Sequence, residues 1–305
     1  MKIYCKGQKI EEQSPAIALG NFDGMHKGHI EVIKAAKENG LTFGALLFRS
    51  HSSNTLGNKV KTITPLNKKL NVLEEIGADF VYLVDFDEEF MNMNSVEFAS
   101  FINSIGARIV SVGYDYRCCK GGKTDTKALG RELEKFGIEI VVSDPITENG
   151  MPIKSTLIRE LLASGEVKKA NVLMHGRYSM CGKVVKGLKN GHLLGFPTAN
   201  IEVPTEEVIL KDGVYFARTV INEKSYPSMV NIGKNPTFNA EKRTVEVHII
   251  DFDDDLYGDE ISVEFYDYIR AEKKFNSLDE LIAQLEKDRE EVLKRYKNEV
   301  REECI

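Results

Sequence analysis

Two histidines three positions apart, His26 and His29, stand inside the run Gly20-Asn21-Phe22-Asp23-Gly24-Met25-His26-Lys27-Gly28-His29. Imidazoles at that spacing on the first turn of a helix can point at one group, and the glycines around them let backbone amides approach a phosphate. Nucleotidyl transfer needs such an arrangement, because the α-phosphate gains charge in the transition state and fixed donors stabilise it without a covalent step.

A second set lies in the other half of the chain. Gly182-Lys183-Val184-Val185-Lys186-Gly187 is a basic strand bracketed by glycines, so its backbone can wrap phosphates while Lys183 or Lys186 adds positive charge. It is followed by Gly191-His192-Leu193-Leu194-Gly195-Phe196-Pro197-Thr198-Ala199-Asn200. Pro197 stiffens a turn that presents Thr198 and Asn200, a hydroxyl and an amide oxygen on alternate residues. Both are hard donors suited to magnesium, which keeps waters and bridges ATP phosphates. Further on, Glu246 and His248 share one face of the alternating strand Val245-Glu246-Val247-His248-Ile249. By pattern alone that acidic position is a solvated strand face, and His248 is a packing or hydrogen-bonding residue.

The elements that carry these groups fall into two series. The chain has 305 residues, more than one compact core usually holds, so two domains are expected. In the first half, short apolar runs (Ala16-Leu19, Leu46-Phe48, Phe80-Val84, Ile109-Val112, Ile138-Val142) alternate with helical spacing over Leu66 to Ile76 and Ser95 to Ile105. That alternation predicts a parallel α/β sheet, with its ligand beyond the carboxyl ends of the strands and hence by the loop after Leu19. Helical spacing runs from Lys154 to about Met174. Then come short β-like runs at Lys183–Lys186, Gly213–Ile221, Ser228–Ile232, Thr244–Phe252 and Glu260–Ile269, which predict a small antiparallel barrel. Ser277 and Glu280 form a capping-box pattern ahead of a closing helix.

Composition is that of a folded globular protein, with 42% hydrophobic and 29% charged residues. No apolar run approaches the roughly 18 residues of a membrane-spanning helix. The opening Met-Lys-Ile-Tyr-Cys-Lys lacks a signal peptide's apolar stretch, so a cytoplasmic address and no membrane partner are expected. A net charge of -6 argues against a nucleic-acid partner. Five cysteines, including adjacent Cys118 and Cys119, follow neither a disulfide framework nor zinc-ligand spacing and read as reduced thiols. The adjacent pair reads as two small apolar side chains beside a loop, with a vicinal-thiol switch as the alternative.

The Gly20–His29 run resembles the signature of the nucleotidyltransferase superfamily in the form used by bacterial FMN adenylyltransferases. That resemblance implies ATP contacts at Gly20, Phe22, Asp23, Gly24 and Gly28, with His26 and His29 in catalysis. It implies a second phosphate element, found at Lys154-Ser155-Thr156-Leu157-Ile158-Arg159, where the hydroxyls of Ser155 and Thr156 and the guanidinium of Arg159 suit a triphosphate. Lys154 replaces the usual first serine there. Two segments that should hold the flavin also depart from the pattern. Leu47-Phe48-Arg49-Ser50-His51-Ser52 keeps only Phe48 and His51, and Gly113-Tyr114-Asp115-Tyr116-Arg117-Cys118-Cys119 keeps Asp115 but ends in thiols.

From Met174 to the final helix the chain resembles the riboflavin kinase domain. The match runs through Gly182–Asn200, Asp212-Gly213-Val214-Tyr215, Asn231-Ile232-Gly233, Pro236-Thr237-Phe238, Glu246-Val247-His248, Asp251-Phe252 and Asp255-Leu256-Tyr257-Gly258, and ends with Arg270, Glu272 and Phe275. It implies that Glu246 is the base for phosphoryl transfer, that Gly182, Lys183 and Gly187 bind nucleotide, that Thr198 and Asn200 hold magnesium, and that Arg270 and Phe275 help cover the flavin. Asp253-Asp254-Asp255 reads as a solvated acidic turn rather than a metal site. Together the resemblances imply the bifunctional bacterial riboflavin kinase/FMN adenylyltransferase (FAD synthetase) family. The expected fold is a Rossmann-like nucleotidyltransferase domain (1–158), a helical connector (159–173), and a small antiparallel β-barrel kinase domain with a C-terminal helix (174–305). Substrates would be ATP, riboflavin and FMN, with Mg2+. The alternative for the first half is a nucleotide- or flavin-binding regulatory module attached to a working kinase.

Overall fold

A strand made only of apolar residues is stable where both of its faces are covered, and the first half of the chain meets that demand with three layers. The computed structural model describes residues 1–39, 42–49, 60–187, 194–204, 207, 210–234 and 243–303. Strands β1 (Lys2–Cys5), β2 (Pro15–Leu19), β3 (Thr42–Phe48), β4 (Phe80–Val84), β5 (Ile109–Gly113) and β6 (Glu139–Ser143) form a parallel sheet in the order β1-β4-β3-β2-β5-β6. Every residue of β2 and β4 is buried.

Helices α1 (Lys27–Asn39) and α2 (Leu66–Ile76) cover one face, where Ile33, Ala36, Val72 and Leu73 join Ala16, Ala18, Ala45 and Val81 in one core. After the short α3 (Glu88–Asn92), α4 (Ser95–Ser104) and α5 (Thr126–Glu134) cover the other, with Phe98, Ile102, Leu129 and Leu133 against Ile17, Leu46, Tyr82 and Val110. From β2 the sheet grows one way through β3 and β4. It then crosses to the opposite side of β2 with β5. The order reverses beside β2, and in sheets of this kind the ligand is held at that point, beyond the carboxyl ends of the strands.

A small hairpin, β7 (Thr147–Glu148) and β8 (Met151–Pro152), precedes α6 (Ser155–Ser164) and α7 (Val167–Leu173). The continuous helical spacing expected from Lys154 to about Met174 is broken here into two helices. Gly165, at φ 88°, ends the first, and the N–H groups of Gly165 and Glu166 bond back to the carbonyls of Leu162 and Leu161. The chain divides into two compact units, Met1–Leu157 with Leu173–His175, and Ile158–Val172 with Gly176–Ile305.

In the second unit β9 (Ser179–Val185), β10 (Ala199–Glu202), β11 (Gly213–Ile221), β12 (Lys224–Lys234), β13 (Arg243–Ile249) and β14 (Glu260–Arg270) close an antiparallel barrel in the order β10-β13-β12-β11-β14-β9. Closure pairs both edges that an open sheet would expose. Strand β13 stops at Ile249 rather than at the expected Phe252, and Asp251 beyond it takes the left-handed backbone (φ 59°).

Alternation sends Tyr215, Ala217, Val230, Ile232, Val245 and Val247 to one side, all at most 2% exposed. On the other side, Val214, Phe216, Met229 and Tyr266 form a core with Ile282, Leu285, Val292 and Tyr296 of α8 (Leu278–Glu303). The start of α8 is capped as Ser277 and Glu280 suggested, with one change. Ser277 Oγ accepts the Glu280 N–H (3.2 Å), while the Glu280 carboxylate takes the N–H of Asn276 (3.0 Å) rather than that of Ser277.

An ion pair joins α8 to the barrel. Arg270 Nε and Nη2 lie 2.9 and 2.7 Å from Asp288 Oδ2, and Asp288, 3% exposed at its side chain, also accepts from Gln284 (2.9 Å). Removing the carboxylate leaves a guanidinium without its partner beside an apolar interface. Asp288→Ala is therefore expected to destabilise this unit by about 2–3 kcal/mol. In calorimetry the unfolding transition of the barrel should move to lower temperature while that of the parallel-sheet unit stays in place.

Candidate active sites

The loop between β2 and α1 is built from strained backbone. Phe22 (φ 47°), Gly24 (φ 90°) and Met25 (φ 37°) all take left-handed conformations, which cost a residue with a Cβ about 1–2 kcal/mol. Packing must hold them, and Phe22, Asp23 and Met25 are each 1% exposed. Asp23 Oδ1 accepts the N–H groups of Ile63 (2.9 Å) and Thr64 (3.0 Å). Lys69 of α2 donates Nζ to the Asn21 carbonyl (2.7 Å), Ser155 donates Oγ to the Asp23 carbonyl (2.7 Å), and His175 donates its N–H to the Met25 carbonyl (2.9 Å). Three distant segments thus converge on one loop. Lys69 is a residue that the sequence reading missed; its one signal was a lysine on the buried face of the Leu66–Ile76 spacing, beside Val72 and Leu73.

The rings of His26 and His29 stack with centroids 3.5 Å apart and planes 19° apart, and the Phe22 ring meets His29 edge-on at 5.4 Å. Gly28 makes room for this, since a Cβ there would sit 3.2 Å from the His26 ring. Burial pushes His26 down to about 4, against the pull of Asp115 and Asp23, and holds His29 well below the ordinary imidazole range, with His26 and Lys69 adding to the effect. Both rings are neutral near pH 7. His26 Nδ1 accepts the His29 backbone N–H (3.3 Å), which leaves Nε2 to carry that ring's proton. His29 Nδ1 is buried and has no hydrogen-bond partner among the described residues.

Gly20 follows β2, under the Phe22 ring. Ser155 joins the loop, Thr156 is exposed on the next position of α6, and Arg159 follows one turn later on the same helix, in the second compact unit. Asp115, just after β5, accepts from Lys154 Nζ (3.0 Å), which also lies 5.7 Å from the Tyr114 ring. Lys154, a departure from the family pattern, is thus the cation that holds Asp115. Ser50, His51 and Ser52 lie outside the described residues.

On the barrel, strand register supplies what linear sequence could not. Val185, Asn200, Glu246, Asn231, Val214 and Arg270 stand opposite one another in a single row across β9, β10, β13, β12, β11 and β14. Directly opposed residues share a face, so Glu246 stands between the amides of Asn200 and Asn231. The sequence reading gave Asn231 no role. Burial, reinforced by the charge of Glu272, raises the Glu246 carboxyl above its ordinary value. Gly187 leaves room for the Asn200 amide, which occupies the space a Cβ would take.

A cavity of about 450 Å³ is lined by Val185 of this row, by Lys186, Gly187, Thr198 and Tyr257, and by Val247 from the opposite face of β13, whereas Asn200, Glu246 and Asn231 are not in its wall. The turn carrying Thr198 is set by His248, whose Nδ1 lies 2.8 Å from the Pro197 carbonyl and whose ring meets Phe196 at 5.3 Å.

Some expected contacts fall elsewhere. Gly182 and Lys183 are not in the cavity wall, and the missing Cβ of Gly182 lets the Glu202 carbonyl of β10 approach, which is a packing reason for that glycine. Arg270 is engaged by Asp288 and lies 5.9 Å from the Phe275 ring, whose other cation neighbour is Lys273 at 5.6 Å. Asp253, Asp254 and Asp255 are exposed, as expected of a solvated acidic turn, and that turn also borders the cavity. Among the described residues no group of three or more His, Cys, Asp or Glu side chains could hold a metal ion. Gly191, His192, Leu193, Pro236, Thr237 and Phe238 lie outside the described residues.

A parallel sheet whose order reverses beside a loop of paired histidines, joined in one chain to a closed barrel with an acid-and-amide row, defines a two-domain protein of the class that comparison with known proteins identifies as nucleotide-using transferases. Residues 8–157 match the FAD synthetase family model and residues 174–296 the riboflavin kinase model. The chain is 36% identical over 302 residues to the bifunctional riboflavin kinase/FMN adenylyltransferase of Bacillus subtilis (strain 168), covering 95% of each. It is 32% identical over 286 residues to that of Escherichia coli (strain K12), covering 91% of each. A solved Streptococcus pneumoniae structure described as a macrolide-efflux protein shares 30% identity with a TM-score of 0.85, over 95% of this chain and 98% of that one. Among the described residues no helix is long and apolar enough to cross a membrane. The chain belongs to the bifunctional riboflavin kinase/FMN adenylyltransferase family, with an FAD synthetase domain followed by a riboflavin kinase domain.

The low His26 value has a consequence for acid stability. Its folded pKa of about 4 lies below the ordinary 6.5, so the unfolded chain binds the proton more readily between those values. His26 therefore contributes stability that is complete above about pH 6.5 and is lost as pH falls toward 4, on the order of 3 kcal/mol in all. His26→Gln should reduce the pH dependence of unfolding in that window, leaving the part that His29 contributes, and NMR titration of the wild-type His26 ring should show its midpoint near 4.

Proposed function

We propose that the barrel transfers the γ-phosphoryl group of ATP to the primary hydroxyl of riboflavin, giving FMN and ADP, and that the parallel-sheet domain transfers AMP from a second ATP to FMN, giving FAD and pyrophosphate. The observation that carries the kinase half is the row Asn200-Glu246-Asn231, whose Asn200 amide packs against Gly187, a residue that lines a cavity together with Thr198. Glu246 would take the proton of the attacking hydroxyl. A carboxyl raised by burial is a better base at neutral pH than an exposed one, because a general base works best with its pKa near the working pH. Asn200 and Asn231 flank it and fix the plane in which the hydroxyl can approach.

Thr198 and Asn200 would hold magnesium. Two hard oxygen donors fit an ion that keeps waters and phosphate oxygens as its remaining ligands. When bound, that ion would neutralise charge on the phosphates. Gly187 and Lys186 line the same cavity and would face the nucleotide. Phe275, between two cations, would cover the flavin, and Arg270 would act by anchoring α8 beside it.

In the adenylyl-transfer site the neutral rings of His26 and His29 would donate hydrogen bonds to the phosphate undergoing attack, with no cost of first neutralising a charge. The loop at Gly20–Gly24, Gly28, and the hydroxyls of Ser155 and Thr156 would surround the nucleotide phosphates. Asp115, held by Lys154, would face the flavin side. Lys69 fixes the Asn21 carbonyl and so holds the loop in shape. A cytoplasmic location completes this reading.

Purified protein with magnesium-ATP and either riboflavin or FMN, followed by chromatography of the flavins, tests both halves. FMN should form from riboflavin and FAD from FMN. Glu246→Gln should lower FMN formation by about 100-fold or more while leaving FAD formation from FMN intact, and His29→Asn should do the reverse. FMN formation without FAD would replace the transferase by a binding module. Retention of most kinase turnover by Glu246→Gln would remove Glu246 as base.

Lys69→Met should lower FAD formation with FMN formation unchanged. Its effect is expected chiefly in kcat, because a misshapen phosphate loop weakens transition-state contacts more than ground-state binding.

A further inference from the structure

The segment after β5 carries two thiols that neither reaction uses. Cys118 and Cys119 are adjacent in sequence, yet their Sγ atoms are only 3.3 Å apart, and both side chains are half-buried against the core beneath α4 and α5. Neighbouring side chains of an extended chain point to opposite sides. Here Cys119 takes φ 65°, a left-handed conformation that a residue with a Cβ rarely adopts, and this turns its thiol back toward Cys118. The surroundings hold it there: Cys118 and Thr124 exchange backbone N–H···O bonds of 3.0 and 3.2 Å, and Lys120 N–H reaches the Met93 carbonyl at 2.9 Å. Hydrogen bonding within the pair pulls the Cys119 thiol down and pushes that of Cys118 up, which favours Cys119 as the attacking thiol.

We propose that Cys118 and Cys119 form an exchange site for low-molecular-weight disulfides, closing reversibly to a vicinal disulfide that slows adenylyl transfer. The Cys119 thiolate attacks one sulfur of the small disulfide RSSR, forming a mixed disulfide and releasing RS⁻, which takes up a proton. Cys118 then loses its proton and attacks the Cys119 sulfur, releasing the second thiol. The two protein thiols are oxidised, RSSR is reduced to two RSH, and both protein hydrogens end on the released thiols.

The bridge must draw the sulfurs from 3.3 Å to about 2.0 Å across Cα atoms only about 3.8 Å apart, less than the roughly 4.4–6.8 Å usual for a disulfide. The resulting strain makes it readily reduced, as a reversible modification requires and a structural bridge does not. The same segment carries Asp115, tied to Lys154, which precedes the Ser155 that bonds the Asp23 carbonyl. Contraction at the thiols therefore acts on the walls of the adenylyl-transfer site. The effect on activity rests on the proposed FAD synthesis, whereas formation of the bond does not.

The test treats the full-length protein with oxidised glutathione and digests it with trypsin, which cuts after Arg117 and Lys120 and frees Cys118-Cys119-Lys120. That peptide should lose the mass of two hydrogens. FAD formation from FMN should fall by about tenfold or more and return with dithiothreitol, while FMN formation from riboflavin is unchanged. Cys119→Ser should be insensitive to the treatment. A peptide that keeps both hydrogens, one that carries only a glutathione adduct, or a bridged protein with undiminished FAD formation overturns the proposal. If the reduced protein makes no FAD, the functional assignment fails and the peptide mass alone decides whether the exchange site exists.

Discussion

The buried carboxylate of Asp23 is the constraint on which the first domain's chemistry depends. A carboxylate 1% exposed is tolerable only where hydrogen bonds replace its water, and the two amides of Ile63 and Thr64 do so. Those bonds tie the segment ahead of α2 to the loop ahead of α1. Held in this way, the loop can keep Phe22 and Met25 in conformations neither would choose, and the stacked histidines follow from its path. Lys69 and Ser155 close the ring of contacts from two further directions. Strain at the loop is thus balanced by burial around it, a common arrangement where a backbone must meet a ligand.

The barrel reaches a comparable result through register. An antiparallel ladder fixes which residues are opposite one another, and a shift of one residue would send Glu246 to the apolar side and Val245 or Val247 to the site. Closure of the sheet and burial of Val245, Val247, Val230 and Ile232 exclude that shift. The positions of Asn200, Glu246 and Asn231 are therefore set by the hydrophobic core on the other side of the same strands.

Burial also sets the protonation of the groups that would react. It keeps His26 and His29 neutral and raises Glu246, in each case because a charged form is costly away from water. The same effect serves opposite chemical ends: a neutral donor in one domain and a stronger base in the other.

The sequence by itself determined the fold class and singled out the candidate machinery. Apolar runs alternating with helical spacing require a covered parallel sheet, and closely spaced short strands require a closed antiparallel one. Gly20–His29 and Gly182–Asn200 carry their chemistry in local spacing, and Glu246 was legible through the resemblance of its surroundings. Only tertiary structure decided which residues share a site. Lys69 reaches Asn21 from 48 positions away, Asn231 faces Glu246 through strand pairing, and Lys154 reaches Asp115 across 39 positions. It also showed a packing reason for Gly182 and an ion pair of Arg270 with Asp288 that local sequence could not show. The physical reason is the range of the information. Periodicity and turn chemistry act over a few residues, whereas a hydrogen bond, an ion pair or the burial that shifts a pKa depends on atoms brought together from anywhere in the chain.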